Sequence, residues 1–163
     1  MGKLKISPFV KWAGGKTQLL EKLEERMPET YSRYYEPFIG GGALLLDIQP
    51  KDAVINDVNV QLLNVYRQLK INSEAVISNL NKFDSIECDK ERYLKMRAEY
   101  NKRIAEHILD EECAALTIWI NKHCFNGLYR VNSKGSFNVP YNNKVSGTSM
   151  SEKNLREIGM YLN

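Results

Sequence analysis

No apolar run in this chain of 163 residues approaches the ~20 residues that a membrane-spanning helix needs. The N-terminus, MGKLKISPFVKW, has no signal-peptide core, so the expected location is cytoplasmic. Cysteine is scarce: Cys88, Cys113 and Cys124 are an odd number without short repeated spacing, which signals neither a disulfide framework nor a zinc cluster. His123 beside Cys124 has no second pair to complete a metal site, so no metal is expected. Repeats and low-complexity tracts are missing, and 43% hydrophobic against 26% charged residues excludes wholesale disorder. The most informative absence is local. From Cys113 to Ser151 there is no Asp or Glu, while Lys122, Arg130, Lys134 and Lys144 lie inside that stretch. A net charge of +3 means little alone, but a segment that omits carboxylates and keeps cations suits a phosphate backbone.

The periodicity predicts an amphipathic helix over Lys16–Met27 with Leu19, Leu20, Leu23 and Met27 on one face. A strand over Arg33–Phe38 then runs into Gly40-Gly41-Gly42 and a short helix over Ala43–Ile48. A second strand, Ala53–Asn56, ends at Asp57 and is followed by a helix over Val60–Lys70. This order of strand, glycine turn, helix, strand and acid opens a parallel α/β sheet with a nucleotide-like ligand at its strand ends. After Ile71 the texture changes to charged helical segments, Ser73–Phe83, Lys90–Ile108 and Asp110–Cys124. Residues 125–145 are rich in Asn, Gly and Ser with aromatics between them. There Tyr129–Asn132 and Ser136–Pro140, joined by Ser133-Lys134-Gly135, are expected to form a hairpin or an ordered loop. A last helix is expected over Ser151–Leu162.

Two segments carry candidate chemistry. In Glu36-Pro37-Phe38-Ile39-Gly40-Gly41-Gly42 the glycines permit close approach of backbone to ligand. Asp57 follows Gly40 by 17 residues, near the spacing at which an acid accepts hydrogen bonds from ribose hydroxyls. A GxGxxG pyrophosphate cradle is missing, which favours a nucleoside over a dinucleotide. In Lys11-Trp12-Ala13-Gly14-Gly15-Lys16-Thr17 the last three residues mimic the end of a P-loop. Val10 stands where its first glycine is required, and only Pro8-Phe9-Val10 precedes it as a strand, which argues against an NTPase. What remains is a lysine at a helix start and an indole suited to stacking or cation–π contact, or simply to anchoring a helix.

Taken together, Phe9–Lys16 (FVKWAGGK), Tyr35–Gly42 (YEPFIGGG) and Ile55–Asn59 (INDVN) resemble the successive cofactor motifs of Dam-type DNA adenine-N6 methyltransferases. Phe125–Arg130 with Ser136–Tyr141 (FNGLYR…SFNVPY) resembles the recognition hairpin of members that methylate GATC. The resemblance runs from about Pro8 to Tyr141. It implies an incomplete Rossmann-like α/β sheet that binds S-adenosylmethionine (residues 1–70), a helical target-recognition insertion carrying a hairpin (71–150), and the start of a return segment (151–163). It implies that Trp12 and Lys16 contact the methionine portion of the cofactor, that Glu36, Phe38, Gly40 and Gly42 belong to its pocket, and that Asp57 holds the ribose. Double-stranded DNA would meet Lys11, Asn126, Leu128, Arg130, Asn132 and Pro140, with Phe125 pushing into the base stack. The family's Asp-Pro-Pro-Tyr tetrapeptide, which receives the flipped adenine, is absent from these residues. Asn138-Val139-Pro140-Tyr141 is a look-alike inside the hairpin, with Val for the first Pro. No catalytic residue is therefore assigned. The chain is expected to be inactive alone, to stop before the catalytic half, and to leave an open sheet edge for that missing half or a second copy to cover. Otherwise it is a DNA- and cofactor-binding remnant without turnover.

Overall fold

The computed structural model describes residues 4–144 and 147–163. Its sheet has two parallel strands, β1 (Tyr34–Glu36) and β2 (Ala53–Ile55), in the register Tyr34↔Ala53, Tyr35↔Val54, Glu36↔Ile55. Backbone bonds extend the pairing past the strand ends: Asn56 donates to Glu36 and Ile39 donates to Asn56. Most of the chain is helical, and the sheet is smaller than the expected one. Parallel strands need a covering crossover, here a short helix, α2 (Ala43–Ile48), after a 3-10 turn at Thr17–Leu19 and a short helix, α1 (Leu20–Glu24). The amphipathic helix expected over Lys16–Met27 is thus reduced to little more than one turn. Lys16 offers no side-chain cap, and neither piece buries a residue, so little rewards a longer helix there.

The larger layer consists of α3 (Val60–Asp84), α4 (Lys90–Ala105), α5 (Glu111–His123) and α6 (Glu152–Leu162). Side-chain caps set four starts: Asn59 accepts from Leu62, Asp89 from Arg92, Asp110 from Cys113 and Ser151 from Asn154. The segments expected over Val60–Lys70 and Ser73–Phe83 form one element interrupted at Asn72 (φ −160°, ψ 84°), whose side chain caps the second half through the Ala75 N–H. α3 packs along α5 and α6, and Gly159 allows the latter contact: a Cβ there would stand 2.8 Å from the Leu69 carbonyl oxygen. Helix α5 is buried nearly all round, from Cys113 through Asn121, which explains its unbroken apolar run. Its Trp119 is fully buried, as are Tyr93 and Tyr100 of α4. Arg103 joins α4 to the start of α5, pairing with Glu99, Asp110 and Glu112.

The hairpin forms with one antiparallel bridge, Val131↔Phe137, flanked by bonds from Asn132 to Ser136 and from Asn138 to Arg130. The pairing stops at that bridge, so the segment is an ordered loop with the hairpin's crossing point rather than a pair of regular strands. The Asn132 side chain accepts from the Lys134 and Ser136 N–H groups and closes the turn, while Phe137 and Val139 are drawn into the core. A second bridge, Cys124↔Tyr141, ties the hairpin base to the end of α5.

Among the described residues, the segment 4–12 forms no strand and has no strand partner. Three side-chain amides take that place. Gln49 accepts from Leu4 N–H and donates to its carbonyl, Asn154 does the same at Ser7, and Asn121 does the same at Lys11. Each amide carries the donor–acceptor pair of a peptide group, so a neighbouring strand is imitated one residue at a time.

Candidate functional site

A pocket of about 520 Å³ opens at the C-terminal ends of β1 and β2. Its lining includes Trp12, Lys16, Phe38, Gly40, Gly42 and Asp57, so two segments separated in sequence meet in one hollow. That volume lies within the ~300–1,000 Å³ of small-molecule sites. The Asp57 carboxylate is spent on shaping the turn. One oxygen accepts from the Gly40 N–H at 2.9 Å, and the other from the Asn59 N–H at 3.0 Å. Each carboxylate oxygen retains further acceptor capacity toward the pocket. Tyr66 supports the turn from α3, donating from its hydroxyl to the Gly40 carbonyl at 2.9 Å.

Gly42 has φ +73°, and a Cβ built on it would lie 2.4 Å from the Tyr66 hydroxyl. Gly42→Ala is therefore expected to lower stability by about 1–2 kcal/mol from the left-handed backbone alone, and to displace Tyr66 besides. Thermal denaturation of the variant against the parent checks this. Gly40 approaches Trp12 closely, with 3.0 Å between its would-be Cβ and the indole. The same indole rests against Tyr129 of the hairpin, ring centroids 5.2 Å apart.

Glu36 lies behind the glycine turn, 7% exposed, rather than in the lining. Burial raises its carboxyl pKa, against the pull of the Tyr34 hydroxyl at 2.7 Å and of the Lys16 ammonium at 3.8 Å. Lys16 thus links the floor charge to the pocket. Phe38 is 75% exposed at the mouth.

A second cavity, about 510 Å³, adjoins the first and shares Pro8, Val10 and Lys11 with it. Phe125 and Asn126 stand on its other side, near Lys122 and Lys144, and its lining holds no carboxylate. Phe125, Leu128, Arg130, Asn132 and Pro140 are all exposed, and of these five Phe125 alone joins Lys11 and Asn126 in the lining of the second cavity. The Arg130 guanidinium lies over Asn138, donating to its side-chain oxygen at 2.8 Å. Asn132 is occupied in closing the turn, a local role that its place in the motif does not reveal. Sequence reasoning also missed Tyr66, Asn121 and Tyr129. The only hint was a lone Asn at the end of an apolar helix. Among the described residues no group of three His, Cys, Asp or Glu is placed to hold a metal, and no helix is long and apolar enough to cross a membrane.

A glycine turn closed by an acid at parallel strand ends thus shares one pocket with an indole and an ammonium, and next to it lies a cavity bordered by Lys11, Lys122, Lys144 and Phe125. The D12 class N6 adenine-specific DNA methyltransferase family matches residues 12–163, and this chain belongs to it. Members take their methyl group from S-adenosylmethionine and have a Rossmann-like fold. The chain is 43% identical over 161 residues to the type II methyltransferase M1.LlaDCHI of Lactococcus lactis subsp. cremoris, covering 99% of itself and 56% of that protein. It is 37% identical over 175 residues to the type II methyltransferase M.MjaIII of Methanocaldococcus jannaschii, covering 98% of itself and 60% of the relative. Against a DNA adenine methylase of Vibrio cholerae the identity is 36% over 134 residues, 82% of this chain and 47% of the relative. The chain spans about half the length of the curated relatives it matches.

Proposed function

We propose that this chain is the cofactor- and DNA-binding portion of a DNA adenine-N6 methyltransferase acting on GATC. The carrying observation is the convergence of Trp12, Lys16, Gly40 and Asp57 on one pocket beside the recognition hairpin. S-adenosylmethionine supplies an electrophilic methyl group on a sulfonium. The carboxylate of its methionine end meets Lys16, whose ammonium stands 3.8 Å from the Glu36 carboxyl behind the turn. Trp12 covers the sulfonium region, Phe38, Gly40 and Gly42 bound the nucleoside, and Asp57 accepts from the ribose hydroxyls. Lys11, Asn126, Leu128, Arg130, Asn132 and Pro140 face the major groove, and Phe125 enters the stack beside the target adenine.

The acceptor groups for the adenine amine come from outside these 163 residues, which contain no Asp-Pro-Pro-Tyr. Tyr35 and Val54, opposite one another across the sheet, are 63% and 44% exposed. That apolar face favours a complementary half or a second copy over a self-sufficient remnant. Calorimetric titration of S-adenosylmethionine into the chain tests the pocket: saturable binding that weakens in Lys16→Ala is expected, and binding indifferent to that change refutes the assignment. For DNA, a bidentate arginine–guanine contact carries ~1–3 kcal/mol of discrimination. Arg130→Ala is therefore expected to erase about a tenfold or greater preference for GATC over a one-base variant, read by anisotropy. A parent chain that binds both duplexes equally rejects GATC.

A further inference from the structure

The two cavities do not merely adjoin; one buried side chain is bonded to both of their walls. Asn121, at the end of α5, is 6% exposed. Its side-chain oxygen accepts from Lys11 N–H at 2.8 Å, and its amide nitrogen donates to the Lys11 carbonyl at 2.9 Å and the Gly127 carbonyl at 3.0 Å. Both amide donors and the acceptor are thereby engaged. Lys11 borders the cofactor pocket and the hairpin-side cavity alike. Gly127 belongs to the turn that carries Phe125 and Asn126, and it has φ +64°. A Cβ there would sit 2.6 Å from Lys11 Cβ, so the turn and the N-terminal segment touch without slack. One residue further on, Trp12 lies between Gly40 and Tyr129. No movement of the 125–128 turn can leave this set intact unless residues 11 and 12 move with it.

We infer that Asn121 is a positioning residue that makes cofactor binding and DNA binding interdependent: seating a duplex on the turn resets Lys11 and Trp12 in the cofactor pocket. The inference rests on the cofactor and DNA reading proposed above. Its physical basis is that a buried hydrogen bond is costly to leave unmade, so the turn and the N-terminal segment shift together rather than separately.

The test is the dissociation constant of S-adenosylmethionine, by calorimetry, with and without a saturating GATC duplex. In the parent the two values should differ by at least about fivefold. In Asn121→Ser, which keeps one donor and cannot bridge, the ratio should fall to within about twofold of unity, while cofactor still binds in the absence of DNA. Gly127→Ala attacks the same joint from the other side and leaves the amide in place; it should also flatten the ratio. A purely structural role would change the melting temperature and leave the ratio intact, and that result overturns the inference, as does a parent ratio of one. A parent that binds neither ligand removes the underlying reading as well, which distinguishes the two failures. Should neither variant fold, amide exchange in the parent decides: DNA alone must change the exchange of the Lys11 and Trp12 N–H groups, and unchanged exchange overturns the inference.

Discussion

Alanine at position 57 is expected to cost this chain about a hundredfold in S-adenosylmethionine affinity, equivalent to ~3 kcal/mol. The magnitude comes from three losses at once. Two backbone N–H groups, of Gly40 and Asn59, now donate to the Asp57 carboxylate at 2.9 and 3.0 Å. Hydrogen bonds to a charged partner contribute about 1.5–3 kcal/mol each, less where water can replace the partner, as at this half-buried site. On the proposed reading of the pocket, the third loss is the acceptor for the ribose hydroxyls. Because Gly40 N–H anchors the turn that also contacts Trp12, its release loosens the wall opposite the indole. Asp57→Asn keeps an acceptor for one N–H and loses the charge, so it should fall between parent and alanine. Calorimetry on the three proteins reads the series, and equal affinity across it would remove Asp57 from the pocket.

Acid should destabilise the fold through His123, by roughly 3 kcal/mol between about pH 6.5 and pH 4. The imidazole is 1% exposed, and among the described residues neither ring nitrogen has a hydrogen-bond partner. Burial pushes its pKa down to about 4, with Lys122 and Arg92 lowering it further and Asp84 opposing them. Asp84 is already engaged by the Ser149 N–H and hydroxyl at 2.7 and 2.6 Å, and Trp119 covers the ring at a centroid distance of 4.2 Å. Well above about pH 6.5 the side chain is neutral in both folded and unfolded chains. Below that, the unfolded chain takes up a proton that the folded one refuses, so stability declines with falling pH until the folded pKa is reached and then levels off. Other groups add their own pH dependence, so the decisive quantity is the difference between parent and His123→Phe. Urea melts at about pH 7 and about pH 5 should show the parent losing ~2 kcal/mol more than the variant. Parallel losses in the two proteins would mean that His123 meets water more freely than its burial indicates.

The site was legible in one dimension wherever its chemistry is local. Glycines after a strand and an acid 17 residues beyond Gly40 describe a turn and its closing group, and the Gly40–Asp57 bond follows that spacing. Helix starts were legible because Asn59, Asp89, Asp110 and Ser151 cap groups only three residues away. The helix expected over Lys16–Met27 is shortened for the complementary reason: its apolar period is present, but it packs mainly against α2, and Leu20, Leu23 and Met27 are only partly buried.

What tertiary structure alone decided is how the N-terminal segment reaches the glycine turn and the hairpin. Gln49, Asn154 and Asn121 hold Leu4, Ser7 and Lys11 across separations of 45, 147 and 110 residues. Tyr66 reaches Gly40 across 26. An asparagine that imitates a strand neighbour has the same letter as one that caps a helix or faces water. Its role lies in which distant backbone group the packing of the helices brings to its amide, and that geometry is a property of the assembled core. From the sequence by itself come the family, the glycine turn with its closing acid, and the hairpin. Their joining into one site depends on long-range hydrogen bonds, whose partners have no fixed spacing to read.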